Sequence, residues 1–215
     1  MSDIADLRRD YGRIQLRRED LDANPFVQFK RWLDEALSLT LVDANAMSLA
    51  TVGAEGRPSL RTVLLKGFTE QGFVFFTNLE SQKSKQIAEN PNVALLFYWR
   101  EFERQVKIQG TASRLPMADV VRYFFTRPRE SRIAAWASPQ SRIIEARKAL
   151  EMKFDELTRR FGDGEIPVPS FWGGFRVAPR AIEFWQGGAN RLHDRFRYER
   201  DSPAAGGWRI DNLAP

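Results

Sequence analysis

The chain has 215 residues, 43% of them hydrophobic and 28% charged, with 33 basic against 28 acidic side chains. The length suits one domain of ordinary size or two very small ones, and the composition is that of a globular protein and excludes a disordered chain. Cysteine is absent and His193 is the only histidine, which excludes disulfides, thiolate metal sites, a Cys nucleophile and His-rich zinc sites; no metal is expected. The basic set is 26 Arg to 7 Lys; the planar guanidinium fork suits phosphate and carboxylate, so anionic partners are expected. No run approaches the roughly 18 apolar residues of a membrane helix. The N-terminus lacks the apolar core of a secretory signal, so the expected location is cytoplasmic, with no membrane partner.

Residues 1–23 are charged and weakly periodic and read as an N-terminal arm. Asn24-Pro25 predicts a helix start, with Asn at the cap and Pro in the first turn. Phe26, Phe29, Trp32, Leu33, Ala36 and Leu37 follow at helical spacing. From about residue 46, MSLATVG, SLRTVLLKGF and FVFFTN read as three strands, SQKSKQIAEN as a short helix capped by Ser81, and VALLFYW and RQVKIQGTASRL as two more strands. Pro116 to Phe161 reads as helical, broken at Pro128, with a long helix from about Gln140. FRVAPRAIEFWQGG, RFRYERD and GWRIDNLAP read as returning strands. Short connections between about five early strands predict an α+β fold built on a mostly antiparallel barrel, with residues 24–215 forming a single domain.

Neither a P-loop nor a G-x-G-x-x-G strand-to-helix turn is present, so side chains on strands and turns must hold any phosphate. Four clusters offer them. RTVLLK brackets an apolar strand with Arg61 and Lys66, residues 61, 63 and 65 alternating with 62, 64 and 66. TNLESQKSK puts Thr77, Ser81, Gln82 and Lys83 at a strand-to-helix junction, where a basic first turn asks for a compensating anion. YFFTRPRES offers Tyr123, Arg127, Arg129 and Ser131 to one phosphate. EFWQGGANRLHDR gathers Trp185, two glycines, Arg191, His193 and Arg195; as a strand it would turn 191, 193 and 195 to one face.

These segments, together with ERQVKIQG, SRIAAWAS and PSFWGGFR, resemble the pyridoxine/pyridoxamine 5′-phosphate oxidase family, in order and over essentially the whole chain. The resemblance implies an FMN-binding split barrel and a homodimer with FMN at the interface. It implies oxidation of pyridoxine or pyridoxamine 5′-phosphate to pyridoxal 5′-phosphate, with O2 reduced to hydrogen peroxide. By position it implies FMN contacts at Arg61, Thr62, Val63, Leu64, Leu65, Lys66, Phe76, Thr77, Gln82, Lys83, Gln105, Gln140, Ser141, Trp185 and Arg195. It implies substrate contacts at Lys66, Tyr123, Arg127, Ser131, Arg191 and His193, the last two nearest the chemistry, and a lid using Arg8 and Tyr11. Gln82 stands where many relatives carry Arg, and Phe76 where Tyr is frequent. A different flavin-dependent split barrel would share the FMN residues but not the substrate set. A nucleic-acid-binding barrel is disfavoured by basic residues dispersed among acids.

Overall fold

The computed structural model describes residues 12, 14–39, 41–144, 146–201 and 207–215. Its helices are α1 (Pro25–Ser38), α2 (Gln82–Glu89), α3 (Met117–Thr126), α4 (Arg129–Ala137) and α5 (Arg147–Phe161). Its strands are β1 (Ala46–Val52), β2 (Pro58–Leu64), β3 (Gly67–Thr69), β4 (Gly72–Asn78), β5 (Asn92–Trp99), β6 (Arg104–Arg114), β7 (Trp172–Gln186), β8 (Asp194–Glu199) and β9 (Arg209–Asn212). All pairings are antiparallel, in the order β2-β1-β5-β6-β7-β4-β3, with β8 and β9 added beyond β7.

The two ends of that order, β2 and β3, are joined by Leu65 and Lys66 alone, so the chain itself brings the ends of the sheet together. Leu65 N–H still bonds Asn45 O on the β1 side (2.8 Å), while Lys66 N–H bonds Val74 O on β4 (2.8 Å). The barrel is therefore handed from one edge to the other between two consecutive amides. SLRTVLLKGF is accordingly two strands and not one, although the in-out alternation of β2 runs on through the handover, with Leu65 buried in the core between exposed Leu64 and Lys66. The barrel is split at β7, whose residues 172–177 pair with β4 and 181–186 with β8.

Alternate residues of the strands fill the interior: Met47, Leu49, Phe73, Phe75, Leu95, Phe97, Val106, Ile108, Ile182 and Phe184 are buried. Helix α1 closes one end. Asn24 accepts from Phe26 N–H as its cap (2.9 Å), and Phe29 packs edge-on to Phe73 (5.0 Å) and Trp32 to Phe184 (5.2 Å). Leu37, expected on that apolar face, is exposed, whereas Leu16 from the expected arm joins the core. Helices α3–α5 form a second cluster around Phe124, Ile133, Leu157 and Trp172. The long helix begins at Arg147 and not near Gln140: Ser141 has a left-handed backbone (φ 69°), leaving Gln140 and Ser141 in a loop.

Candidate active site

A cavity of about 920 Å³ opens between β2, β4, α3 and α4, lined by Arg61, Thr62, Val63, Leu64, Lys66, Phe76, Thr77, Lys83, Tyr123, Arg127, Ser131 and Gln140 among others. Most of three clusters that lie apart in sequence thus meet in one cleft. Leu65, in the link between β2 and β3, is the exception within the 61–66 segment, its side chain belonging to the core.

One end of the cleft is built on a buried and a half-buried cation. Lys83, 8% exposed, turns its ammonium back across the start of α2 to Thr77 Oγ1 (3.2 Å), Ser81 Oγ (3.3 Å) and Gln140 Oε1 (2.9 Å). Arg61 donates to Leu49 O (3.1 Å), Thr51 Oγ1 (2.5 Å) and Ser59 O (3.2 Å). Every one of these acceptors is neutral. Burial, and secondarily the nearby Arg61 charge, lower the Lys83 pKa to about 8, and burial lowers that of Arg61. Two poorly compensated cations beside a helix N-terminus constitute an anion site. Ser81 occupies the cap position without making a side-chain cap; its hydroxyl meets Ser84 and Lys83 instead. The Gln82 amide donates to Ser141 Oγ (3.3 Å), and these two residues line an adjoining hollow of about 350 Å³ with Arg61 and Lys83.

The other end carries Tyr123, Arg127 and Ser131. Arg127 Nη1 is buried and has no hydrogen-bond partner, and its guanidinium lies over the Trp172 ring (5.0 Å). Burial lowers the Arg127 pKa; the neighbouring Tyr123 offsets this only in part, and the Arg132 charge lowers it further. A desolvated guanidinium with an unused donor is poised for an anionic oxygen. Trp172 itself lines the cleft and carried no role in the sequence reading; its signal was an aromatic residue immediately before Gly173-Gly174.

The remaining expected residues stand elsewhere on the protomer. Gln105, Trp185 and Arg195 are register partners across β6, β7 and β8, forming one row, and they line a separate hollow of about 250 Å³ with Glu183 and Pro215. Arg195 is held by Glu183 Oε1 through Nε (3.0 Å) and Nη2 (2.9 Å), and by Ala214 O through Nη1 (2.6 Å). Burial alone would raise the Glu183 pKa, but hydrogen bonds and charge from Lys107 and Arg195 outweigh it and keep it below the usual value.

His193 packs on Trp185 at 4.7 Å, and its Nδ1 accepts from Gly188 N–H (3.1 Å). In a neutral ring that acceptor role leaves the proton on Nε2. The expected alternation of 191, 193 and 195 along a strand is not observed: β8 begins at Asp194, and Arg191 lies in a 3₁₀ turn (189–191) with φ 63°. Arg191 is consequently exposed at a turn instead of facing across a sheet. Arg8 and Tyr11 lie outside the described residues. Gly12 is next to that turn, where a Cβ on it would fall 3.3 Å from Ala189, and its N–H donates to Glu103 Oε2 (3.1 Å). Among the described residues no group of three metal-ligating side chains is found, and no helix is long and apolar enough to cross a membrane.

A family model described as pyridoxamine 5′-phosphate oxidase matches residues 33–161, and one described as pyridoxine 5′-phosphate oxidase C-terminal dimerisation region matches residues 172–215. A pyridoxine/pyridoxamine 5′-phosphate oxidase of Crocosphaera subtropica is 57% identical over 213 residues, 99% of this chain and 100% of the relative. One from Shewanella denitrificans is 54% identical over 215 residues, the whole of both chains. Among solved structures, PhzG from Burkholderia lata in complex with tetrahydrophenazine-1-carboxylic acid has a TM-score of 0.88 at 30% identity, covering 95% of this chain and 100% of its own.

Proposed function

This chain belongs to the pyridoxamine 5′-phosphate oxidase family, and from that premise we propose how its residues divide the work. It is an FMN-dependent oxidase that converts pyridoxine 5′-phosphate or pyridoxamine 5′-phosphate to pyridoxal 5′-phosphate, and its C-terminal dimerisation region makes it a homodimer. The observation that carries the residue assignment is a single cleft with a cationic grip at each end, neither compensated by a carboxylate among the described residues.

The donor set at the Lys83 end fits the phosphate of FMN: buried Lys83 and half-buried Arg61, amides at a helix start and neutral hydroxyls, with no acid among the hydrogen-bond partners of either cation in the described residues to repel a dianion. When bound, FMN supplies the two-electron oxidation of the substrate and passes the electrons to O2. Lys83 and Arg61 neutralise its phosphate, and the β2 backbone with Thr77 and Gln140 orients it. Gln82 leaves this region with one cation fewer than an Arg would provide. Tyr123, Arg127 and Ser131 hold the substrate phosphate, with Lys66 between the two grips. Alignment of two bound molecules then accounts for most of the protein's contribution.

The row Gln105–Trp185–Arg195 and the turn bearing Arg191 and His193 do not line the same protomer's cleft. We assign them to the cleft of the partner subunit, which puts FMN at the interface and makes each site composite. Arg191 aligns the substrate ring, and His193, fixed by Gly188, orients against it. The first 23 residues act as an arm over the substrate, and 24–215 as the split-barrel domain.

The direct test is turnover. The protein purified with FMN should form pyridoxal 5′-phosphate from pyridoxamine 5′-phosphate with O2 as the only acceptor, one peroxide appearing per product. Flavin-loaded protein that leaves the substrate unchanged would refute the reading.

A further inference from the structure

Three aromatic rings from three elements form a slab along the wall of the cleft. Tyr123 of α3 stacks on Phe76 of β4 at 4.0 Å and 15°, and Phe76 stacks on Trp172 of β7 at 5.2 Å and 6°. The Arg127 guanidinium lies 5.0 Å from the centre of the Trp172 ring and 5.7 Å from that of Phe124. Phe124, fully buried, meets the same Trp172 edge-on at 4.9 Å. Gly174 faces Phe76 in the β4–β7 register, and a Cβ there would fall 2.8 Å from the Phe76 ring. The backbone is thus cut back to glycine where the slab's middle ring needs room.

We propose that Trp172 and Phe76 are positioning residues that set the enzyme's preference for a phosphorylated substrate. Neither is assigned a bond to phosphate; each holds a group that is. Phe76 fixes the plane of Tyr123, and Trp172 fixes the guanidinium of Arg127, whose Nη1 has no other partner. An arginine has a long, rotamer-rich stem, and a free guanidinium would lose much of that freedom on gripping a phosphate. A π face beneath it removes the freedom beforehand and leaves the in-plane N–H donors aimed at the ligand. The inference rests on assigning Tyr123, Arg127 and Ser131 to the substrate phosphate.

The test uses the FMN-loaded enzyme and two substrates, pyridoxamine 5′-phosphate and pyridoxamine, which lacks the phosphate. Trp172→Leu keeps an apolar filling but removes the π face. It should raise KM for the phosphorylated substrate about tenfold, the scale of one desolvated cation–π contact, with kcat falling less than KM rises. KM for pyridoxamine should stay within twofold, and Trp172→Phe should recover most of the loss. Phe76→Leu should reproduce the rise in KM for the phosphorylated substrate through Tyr123 and serves should Trp172→Leu fail to fold. Equal losses on both substrates, or no change in either, would overturn the proposal. Arg127→Met separates the two levels. If it leaves KM for the phosphorylated substrate unchanged, the site assignment falls. If it raises that KM while the two Leu variants do nothing, only the positioning role falls.

Discussion

In the proposed FMN site, Lys83 is the residue at which charge and burial are most tightly linked. An ammonium surrounded by neutral oxygens and facing Arg61 has a pKa lowered to about 8, against 10.5 for the free side chain. In the cofactor-free protein an unfolded chain therefore holds more protons than the folded one between those two values. Folding stability should rise with pH across that window, because deprotonation relieves a buried charge. The proposed contact with the FMN phosphate requires the opposite, a protonated Lys83, so FMN affinity should weaken as pH climbs above about 8, by up to about tenfold per unit. Flavin-fluorescence titrations at pH 7 and pH 9 check this: the wild type should bind more weakly at pH 9, and Lys83→Met should bind weakly at both with a much smaller difference. A wild-type dissociation constant that does not change with pH would show that Lys83 is not the proton-linked group. This residue was legible beforehand, since a basic side chain in a first helical turn is unfavourable without an anion. Trp172 was not, because an aromatic residue on a strand is most often core, and only its stacking with Phe76 and Arg127 distinguishes it.

The turn between β7 and β8 shows how an element can be recognised and still be misread in detail. Its glycines, arginine and histidine were legible as one cluster, but the strand reading placed Arg191 and His193 on a common face. The chain instead turns at 189–191 with Asn190 and Arg191 both at positive φ. Gly188 makes that geometry feasible: a Cβ there would fall 2.0 Å from Leu192 O, while its amide anchors His193 Nδ1. Gly188→Ala should therefore displace the turn, costing about 1–3 kcal/mol of stability and lowering kcat/KM at least about tenfold. Thermal unfolding and steady-state kinetics measure both; a fully active variant would mean that the turn's position is not critical. The other misread boundaries have the same origin. Nothing in SLRTVLLKGF marks the handover at Leu65, which is decided by which edge each amide finds. SRIIEAR has helix-compatible residues, yet Ser141 is committed to the Gln82 amide.

At the scale of the molecule, the barrel and its antiparallel order followed from alternating strands with short links. What sequence could not supply was that the expected FMN residues fall into two separated groups, because a row such as Gln105–Trp185–Arg195 exists only through cross-strand register. The proposed composite sites make a specific prediction. Lys83→Met and Arg195→Met would then impair different halves of the cleft, so each alone should be poorly active. Mixed dimers formed by refolding both together should regain one intact site in two; with random pairing, activity should recover to about a quarter of wild type. No recovery above the sum of the parents would place both halves in one protomer.

The closure of the barrel also imposes an order on its biosynthesis. Strand β4, largely apolar, forms its local hairpin with β3 at once, but its other edge pairs with residues 172–177 of β7, about 100 residues later. At about 5–20 residues per second, that edge waits roughly 5–20 s on the ribosome before its partner is made. FVFFTN is the kind of segment that recruits foreign strands while it waits. The nascent chain is therefore most exposed to aggregation while β5, β6 and helices α3–α5 are being synthesised, and the arrival of β7 both seals the barrel and ends that exposure.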